Sequence, residues 1–206
     1  MKDKDSYLTI VAPSEEILFK DRNSKFFGYA FPVTNDQQVK SRLKELKSKH
    51  HSAGHWCYAF QIGVKNVSYR VNDDGEPNNS AGMPIYGQIQ SYGITNVLIV
   101  VVRYFGGTKL GVGGLINAYR ITAQWALEAS SIVEKTINKR IQIVCPYEQL
   151  NKVMRLIKTR NLKIIHQEME LGCKLEIEVR LKDSETIFDY LKTQKNIKVK
   201  YLDDSI

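Results

Sequence analysis

The chain has 206 residues, 43% hydrophobic and 25% charged, an ordinary globular composition with room for one large domain or two small ones. It holds no run near the roughly 18 consecutive apolar residues of a membrane span, and its start, MKDKDSYLTI, lacks the apolar centre of a signal peptide. Three scattered cysteines, Cys57, Cys145 and Cys173, exclude a disulfide framework, so the expectation is a cytoplasmic protein with reduced, buried thiols and no membrane association.

The formal net charge of +8 favours an anionic partner such as RNA, because clustered cations release counterions from phosphate. The excess is spread out: residues 138–206 hold 14 Lys/Arg against 10 Asp/Glu, and the rest of the chain carries the other half of the net charge. No tail or basic arm concentrates it, and an even spread also aids solubility. No heptad pattern points to a coiled-coil dimer.

In chain order, ILFKDRNSKFFGYAFPV predicts two strands around a polar turn at Asp21–Ser24. Thr34 and Gln37 fit a capping box. Val39, Leu43 and Leu46 then follow at helical spacing, with Lys40, Lys44 and Lys47 pointing elsewhere. This helix ends near His50–His51. HWCYAFQIG and VSYRVND predict a further strand pair, and the loop DDGEPNNSAGMP leads to a short helix opened by Pro84. NVLIVVVRYF is apolar on both faces and so predicts a central strand, with a helix over 115–130 after it. After SSIVEKTINK the pattern restarts. RIQIVCP, a helix from Pro146, NLKIIHQEME, CKLEIEVRL, a helix capped by Ser184 and NIKVKYL give the order β-α-β-β-α-β. The expected class is α+β: an N-terminal α/β domain over residues 1–134 and a ferredoxin-like domain over 138–206.

Three stretches could carry chemistry. RYFGGTKLGVGG places five glycines, Gly106, Gly107, Gly111, Gly113 and Gly114, within nine residues. It matches neither the phosphate-binding P-loop nor the dinucleotide fingerprint. A glycine loop between strand and helix nevertheless presents amides to an anion, and Arg103 and Lys109 would add charge. The bland alternative is a set of positive-φ turns packing backbone on backbone. In NDDGEP, Asp73, Asp74 and Glu76 could hold a hard cation, or form a turn with a salt bridge to Arg103 or Lys109. HHSAGHWC gathers His50, His55 and Cys57 without the spacing of a metal site. Cys57 reads as a small buried hydrophobe within a strand. No cofactor or metal is expected.

Together these stretches resemble the YigZ/IMPACT family. The matching positions are His50, Ala53, His55 and Cys57; DDGEP with Ala81, Gly82 and Pro84; and VVVRYFGGTKLGVGGL. The order holds over residues 15–130. The resemblance implies a first domain similar to the second domain of ribosomal protein S five and a second similar to a late domain of elongation factor G. It also implies a role in translation, since eukaryotic relatives regulate initiation by competing for the activator of a kinase. The family often has an Arg where this chain has Asn117, and Arg120, three residues on, could replace it. Asn78–Asn79–Ser80 stands where the family usually has Ser-Gly-Thr.

Two functions follow. The first is a non-enzymatic binding protein of translation, with RNA, the ribosome or a translation protein as partner. Its anion-binding residues would be Arg103, Gly106, Gly107, Lys109, Gly111, Gly113, Gly114 and Arg120. The second is a metal-assisted hydrolase or transferase on a phosphorylated substrate, with Asp73, Asp74 and Glu76 around the metal. Without an activated nucleophile or a complete ligand set, binding is favoured.

Overall fold

The computed structural model of the chain describes residues 5–202; the first four residues of the amino-terminal stretch and residues 203–206 lie outside them. The described residues divide into two compact units, Tyr7–Lys135 and a second formed by residues 136–202 with residues 5 and 6.

The first unit is built on β6, Val97–Tyr104, the centre of a five-stranded antiparallel sheet of order β2-β3-β6-β4-β5. It pairs with β3 (Ser24–Pro32) and β4 (His55–Ile62), and β2 (Ile17–Asp21) and β5 (Ser68–Asn72) lie outside them. Val97 through Val102 are all fully buried, and the two-residue period shares them between two cores. Val97, Ile99 and Val101 pack in the core that includes α2 (Gly82–Ser91) and α3 (Gly111–Glu128). Leu98, Val100 and Val102 pack toward α1 (Asp36–Lys49) on the other face. This strand was expected to be central, and it is.

Besides α2, which starts at Gly82 rather than at Pro84, three features of this unit differ from the expectation. The α1 cap lies one residue on, at Asn35: its Oδ1 accepts the Gln38 amide at 3.0 Å, while Gln38 Oε1 accepts the Thr34 amide at 2.7 Å. Helix α3 starts at Gly111 rather than Leu115, so Gly113 and Gly114 belong to its first turn. Leu110 folds into the core and sits close over Gly114. The third change is a strand the sequence did not announce: β1 (Ser6–Ile10) pairs with β7 (Ile132–Thr136) in a separate two-stranded sheet.

In the second unit, β8 (Asn138–Cys145), α4 (Tyr147–Thr159), β9 (Lys163–Met169), β10 (Cys173–Arg180), α5 (Leu181–Lys192) and β11 (Lys198–Leu202) follow the expected β-α-β-β-α-β order. The sheet order is β11-β8-β10-β9, antiparallel throughout. Leu175, Ile177 and Val179 alternate inward with Ile141 and Ile143 opposite. Ser184 does not cap α5. The helix begins three residues earlier, and the buried Ser184 hydroxyl donates to the Leu181 carbonyl at 2.7 Å. All three cysteines are free and buried; burial, then the Cys173 thiol opposite, pushes Cys145 up to about 11.

Candidate functional site

The family-like residues converge where β6 ends and β3 and β4 begin, since Arg103 pairs in register with Phe26 on one side and His55 on the other. Arg103 does not face solvent. Its alternation with Val101 and Ile99 sends it to the α2/α3 side, where only 5% of the residue is exposed. Its Nη1 donates to Glu76 Oε1 at 2.7 Å, and the two side chains are 6% and 4% exposed. Tyr119 of α3 donates to the same oxygen at 2.7 Å. Phe26 lies edge-on to Tyr119 and under the guanidinium. Arg103 is therefore corrected from a surface anion contact to the buried partner of Glu76, because the strand's period turns it inward.

The acidic loop is spent on structure. Asp73 Oδ1 accepts the amides of Ala81 and Gly82 at 3.0 and 2.8 Å, and Oδ2 that of Asn79 at 2.9 Å. It thereby serves the start of α2, whose own N-cap residue, Ala81, supplies no side-chain bond. Asp74, at φ +43, accepts the Trp56 amide at 2.7 Å, and its carbonyl accepts Nδ1–H of His55 at 2.8 Å. The expected salt bridge to the loop forms through Glu76 to Arg103. Among the described residues, no three His, Cys, Asp or Glu side chains could hold a metal ion. Cys57 Sγ lies 3.0 Å from the Asp73 carbonyl and 3.3 Å from the Tyr119 hydroxyl. Burial first, then the neighbouring carboxylates, pushes its thiol well above the usual range, so it is no thiolate nucleophile.

The glycines divide by role. A Cβ on Gly106 would meet the Asn23 backbone at 2.1 Å, so here the loop packs on the β2–β3 turn. Ser24 Oγ holds it there by accepting the Gly106 amide at 3.1 Å. Gly107 and Gly111 take φ of +86 and +71 with open space beside them. Gly107, Thr108, Lys109 and Gly113 are exposed. Leu110 gives α3 no side-chain cap. Arg120 is exposed and donates to Asn117 Oδ1 at 2.7 Å, tying together the two positions compared above.

Two arrangements were not assigned from the sequence. His50 caps α1 and is buried between tyrosines, with Nε2 2.6 Å from Tyr29 Oη and Nδ1 3.0 Å from Tyr104 Oη. Tyr29 donates onward to Glu16, which also pairs with Lys49 at 2.7 Å. Tyr29 therefore accepts from Nε2–H, and a neutral His50 accepts from Tyr104. Burial lowers the His50 pKa, with Lys49 adding to the fall and Glu16 opposing it. Burial alone would raise the Glu16 carboxyl, but its bonds to Lys49 and Tyr29 hold it below its ordinary value. The second arrangement is a groove of about 550 Å³ between α1 and β4, lined by Lys40, Lys44, Lys47, Trp56 and Tyr58. The spacing of three lysines at i, i+4 and i+7 was its signal.

The IMPACT N-terminal domain family matches residues 22–127. The chain is 29% identical over 181 residues to the IMPACT family member YvyE of Bacillus subtilis, covering 88% of this chain and 82% of that protein. It is 30% identical over 193 residues to an IMPACT family member of Haemophilus influenzae, covering 90% and 92%. A crystal structure described as a hypothetical protein shares the fold, with a TM-score of 0.71 and 24% identity over 98% of this chain and all of that one. This chain belongs to the IMPACT family.

Proposed function

We propose that the protein is a non-enzymatic binding protein of translation that meets RNA with its first unit, where β6 runs into α3. The observation that carries this reading is the start of an 18-residue helix without a side-chain cap, beside the exposed Lys109. Amides at a helix start, the positive end of its dipole and a lysine together attract phosphate. Gly107, Gly111 and Gly113 keep side chains away from that approach, Gly114 makes room for Leu110 beneath it, and Arg120, about two and a half turns along the helix, extends the charge on its exposed side. Gly106 and Arg103 support the loop from behind. Family membership supports the place in translation, and the implied likeness to domains of ribosomal protein S five and elongation factor G fits it.

The metal-assisted hydrolase or transferase has less to stand on, because Asp73, Asp74 and Glu76 each already serve an amide or a guanidinium. The test is to recover the tagged full-length chain from cells and sequence the RNA that accompanies it, then titrate labelled RNA in vitro. Enrichment of ribosomal or other RNA, and loss of affinity in Lys109→Ala, is expected. A chain that recovers only protein partners, and binds no RNA at low salt, overturns the RNA reading.

A further inference from the structure

The α1 face of the sheet differs from the opposite one in what covers it. Two helices close the other face; here one helix lies over five strands. The uncovered margin is the groove between α1 and β4. On the strand side, Trp56 and Tyr58 are two residues apart and so project to the same face, both half-buried. On the helix side, Lys40, Lys44 and Lys47 form one stripe, about 10.5 Å from first to last along the axis. None of the three is in a salt bridge among the described residues, whereas neighbouring Arg42 and Lys49 are paired with Glu45 and Glu16. The lysine charge in the groove is thus uncompensated except by Asp74, whose carboxylate is engaged by the Trp56 amide.

A second observation points to an occupant. Trp56 Nε1 is buried and has no hydrogen-bond partner among the described residues, an uncommon state for an indole N–H. Lys47 Nζ lies over the same ring, 5.5 Å from its centroid. Lys47 is exposed and carries its ammonium on a flexible four-carbon stem. Once it swings outward, the ring face opens to a ligand carrying a flat π-surface, and the ammonium is free to meet a phosphate.

We infer that this groove is a site for single-stranded RNA, with unpaired bases stacking on Trp56 and Tyr58 and phosphates running along Lys40, Lys44 and Lys47. Stacking on aromatic side chains beside a cationic track is how single strands are held without sequence preference. A duplex keeps its bases stacked on one another and cannot offer them to the rings. The site extends the RNA reading above and depends on it, but it stands apart from the α3 start: α1 and β4 supply the lysines and aromatic rings, Asn72 and Asp74 complete its lining, and no residue of α3 takes part.

The test uses the full-length chain and a fluorescein-labelled 12-nucleotide oligo(U), with a 12-base-pair RNA duplex as control. Anisotropy titrations run across a salt series. Each lysine contact removed from a single strand lowers the slope of log affinity on log salt by about 0.7, so Lys40→Ala/Lys44→Ala/Lys47→Ala is expected to lower it by about 2. The chain has two tryptophans, Trp56 and Trp125; in Trp125→Phe, Trp56 fluorescence reports the groove alone and is expected to be quenched as oligo(U) binds. An unchanged salt slope in the triple variant, absence of quenching, or duplex binding as tight as oligo(U) overturns the groove. Binding that is lost in Lys109→Ala but intact in the triple variant overturns the groove and leaves the α3 reading standing. A chain that binds no RNA overturns both.

Discussion

Arg103 and Lys109 are six residues apart at the two ends of one glycine loop, and they have opposite fates. Arg103 is the last inward residue of a buried strand, matched to Glu76 and Tyr119 and shielded by Phe26. Lys109 is exposed, just before a helix start without a side-chain cap. A cation beside glycines is thus not by itself a binding residue; whether the backbone holds it within the sheet or in the exposed loop decides. The buried cation maintains the shape of the loop, and the exposed one is available to a partner. Substitutions on the two sides separate these roles.

The largest effect belongs to Arg103→Ala. Removing one partner of a buried pair leaves the other charge without compensation, typically at about 3–5 kcal/mol. Urea denaturation should show that loss, and Arg103→Met with Glu76→Leu should recover much of it because no charge stays buried. A single Arg103→Ala variant within about 0.5 kcal/mol of the parent would sink the account of this pair as the loop's foundation. Next is Gly106→Ala. The added methyl would collide with Asn23 backbone rather than a movable side chain, and overpacking of that kind costs about 1–3 kcal/mol.

A smaller effect is expected from pH, because a buried histidine can stay neutral instead of burying a charge. His50 faces Tyr29, Tyr104, Lys49 and, through Tyr29, Glu16. Its folded pKa lies below 6.5, so the unfolded chain binds the proton more readily. Stability from this group is complete above about pH 6.5 and declines as pH falls toward the lowered folded value. Urea midpoints between pH 8 and pH 5 should fall on the acid side, and His50→Gln should flatten that segment. Glu16 contributes a separate loss below about pH 4.5, its ordinary value. An acid slope unchanged in His50→Gln would assign the dependence to other groups.

Much of this was legible beforehand, and the errors have local causes. β6 was plain because both its faces are apolar, which few other placements explain. The same alternation bore on Arg103: counting by twos groups it with Val97, Ile99 and Val101, but both faces of the strand are covered, and only the structure shows that this one holds Glu76 and Tyr119. The motif drew attention to its charge and away from its register. Thr34 and Asn35 are both good cap residues, so only the backbone conformation distinguishes them. The start of α3 was misplaced because glycine lowers helix propensity, whereas the burial of Leu110 fixes where the helix begins. The acidic loop could not be resolved from composition. Its carboxylates are consumed by amides of residues 56, 79, 81 and 82, contacts that a linear string does not place. The lysine stripe was visible, but the aromatic residues that complete the groove arrive from a strand whose side was unknown.

The smallest change in stability is expected on the loop's exposed side, where the proposed α3 reading predicts an effect on RNA binding. Gly113 takes a helical conformation in the first turn of α3 with nothing near its missing Cβ. Gly113→Ala should therefore stabilise the fold by about 0.4–1 kcal/mol, chiefly by restricting the unfolded chain. Lys109→Ala should leave stability within about 0.5 kcal/mol while weakening RNA binding and lowering its salt slope by about 0.7 for a single strand. The pair dissects the loop: a methyl at Gly113 that also weakens RNA binding means the ligand approaches the helix backbone closely, and one that does not places the phosphate nearer Lys109. If Lys109→Ala changes neither stability nor affinity, both ends of the loop are structural and the contrast with Arg103 disappears.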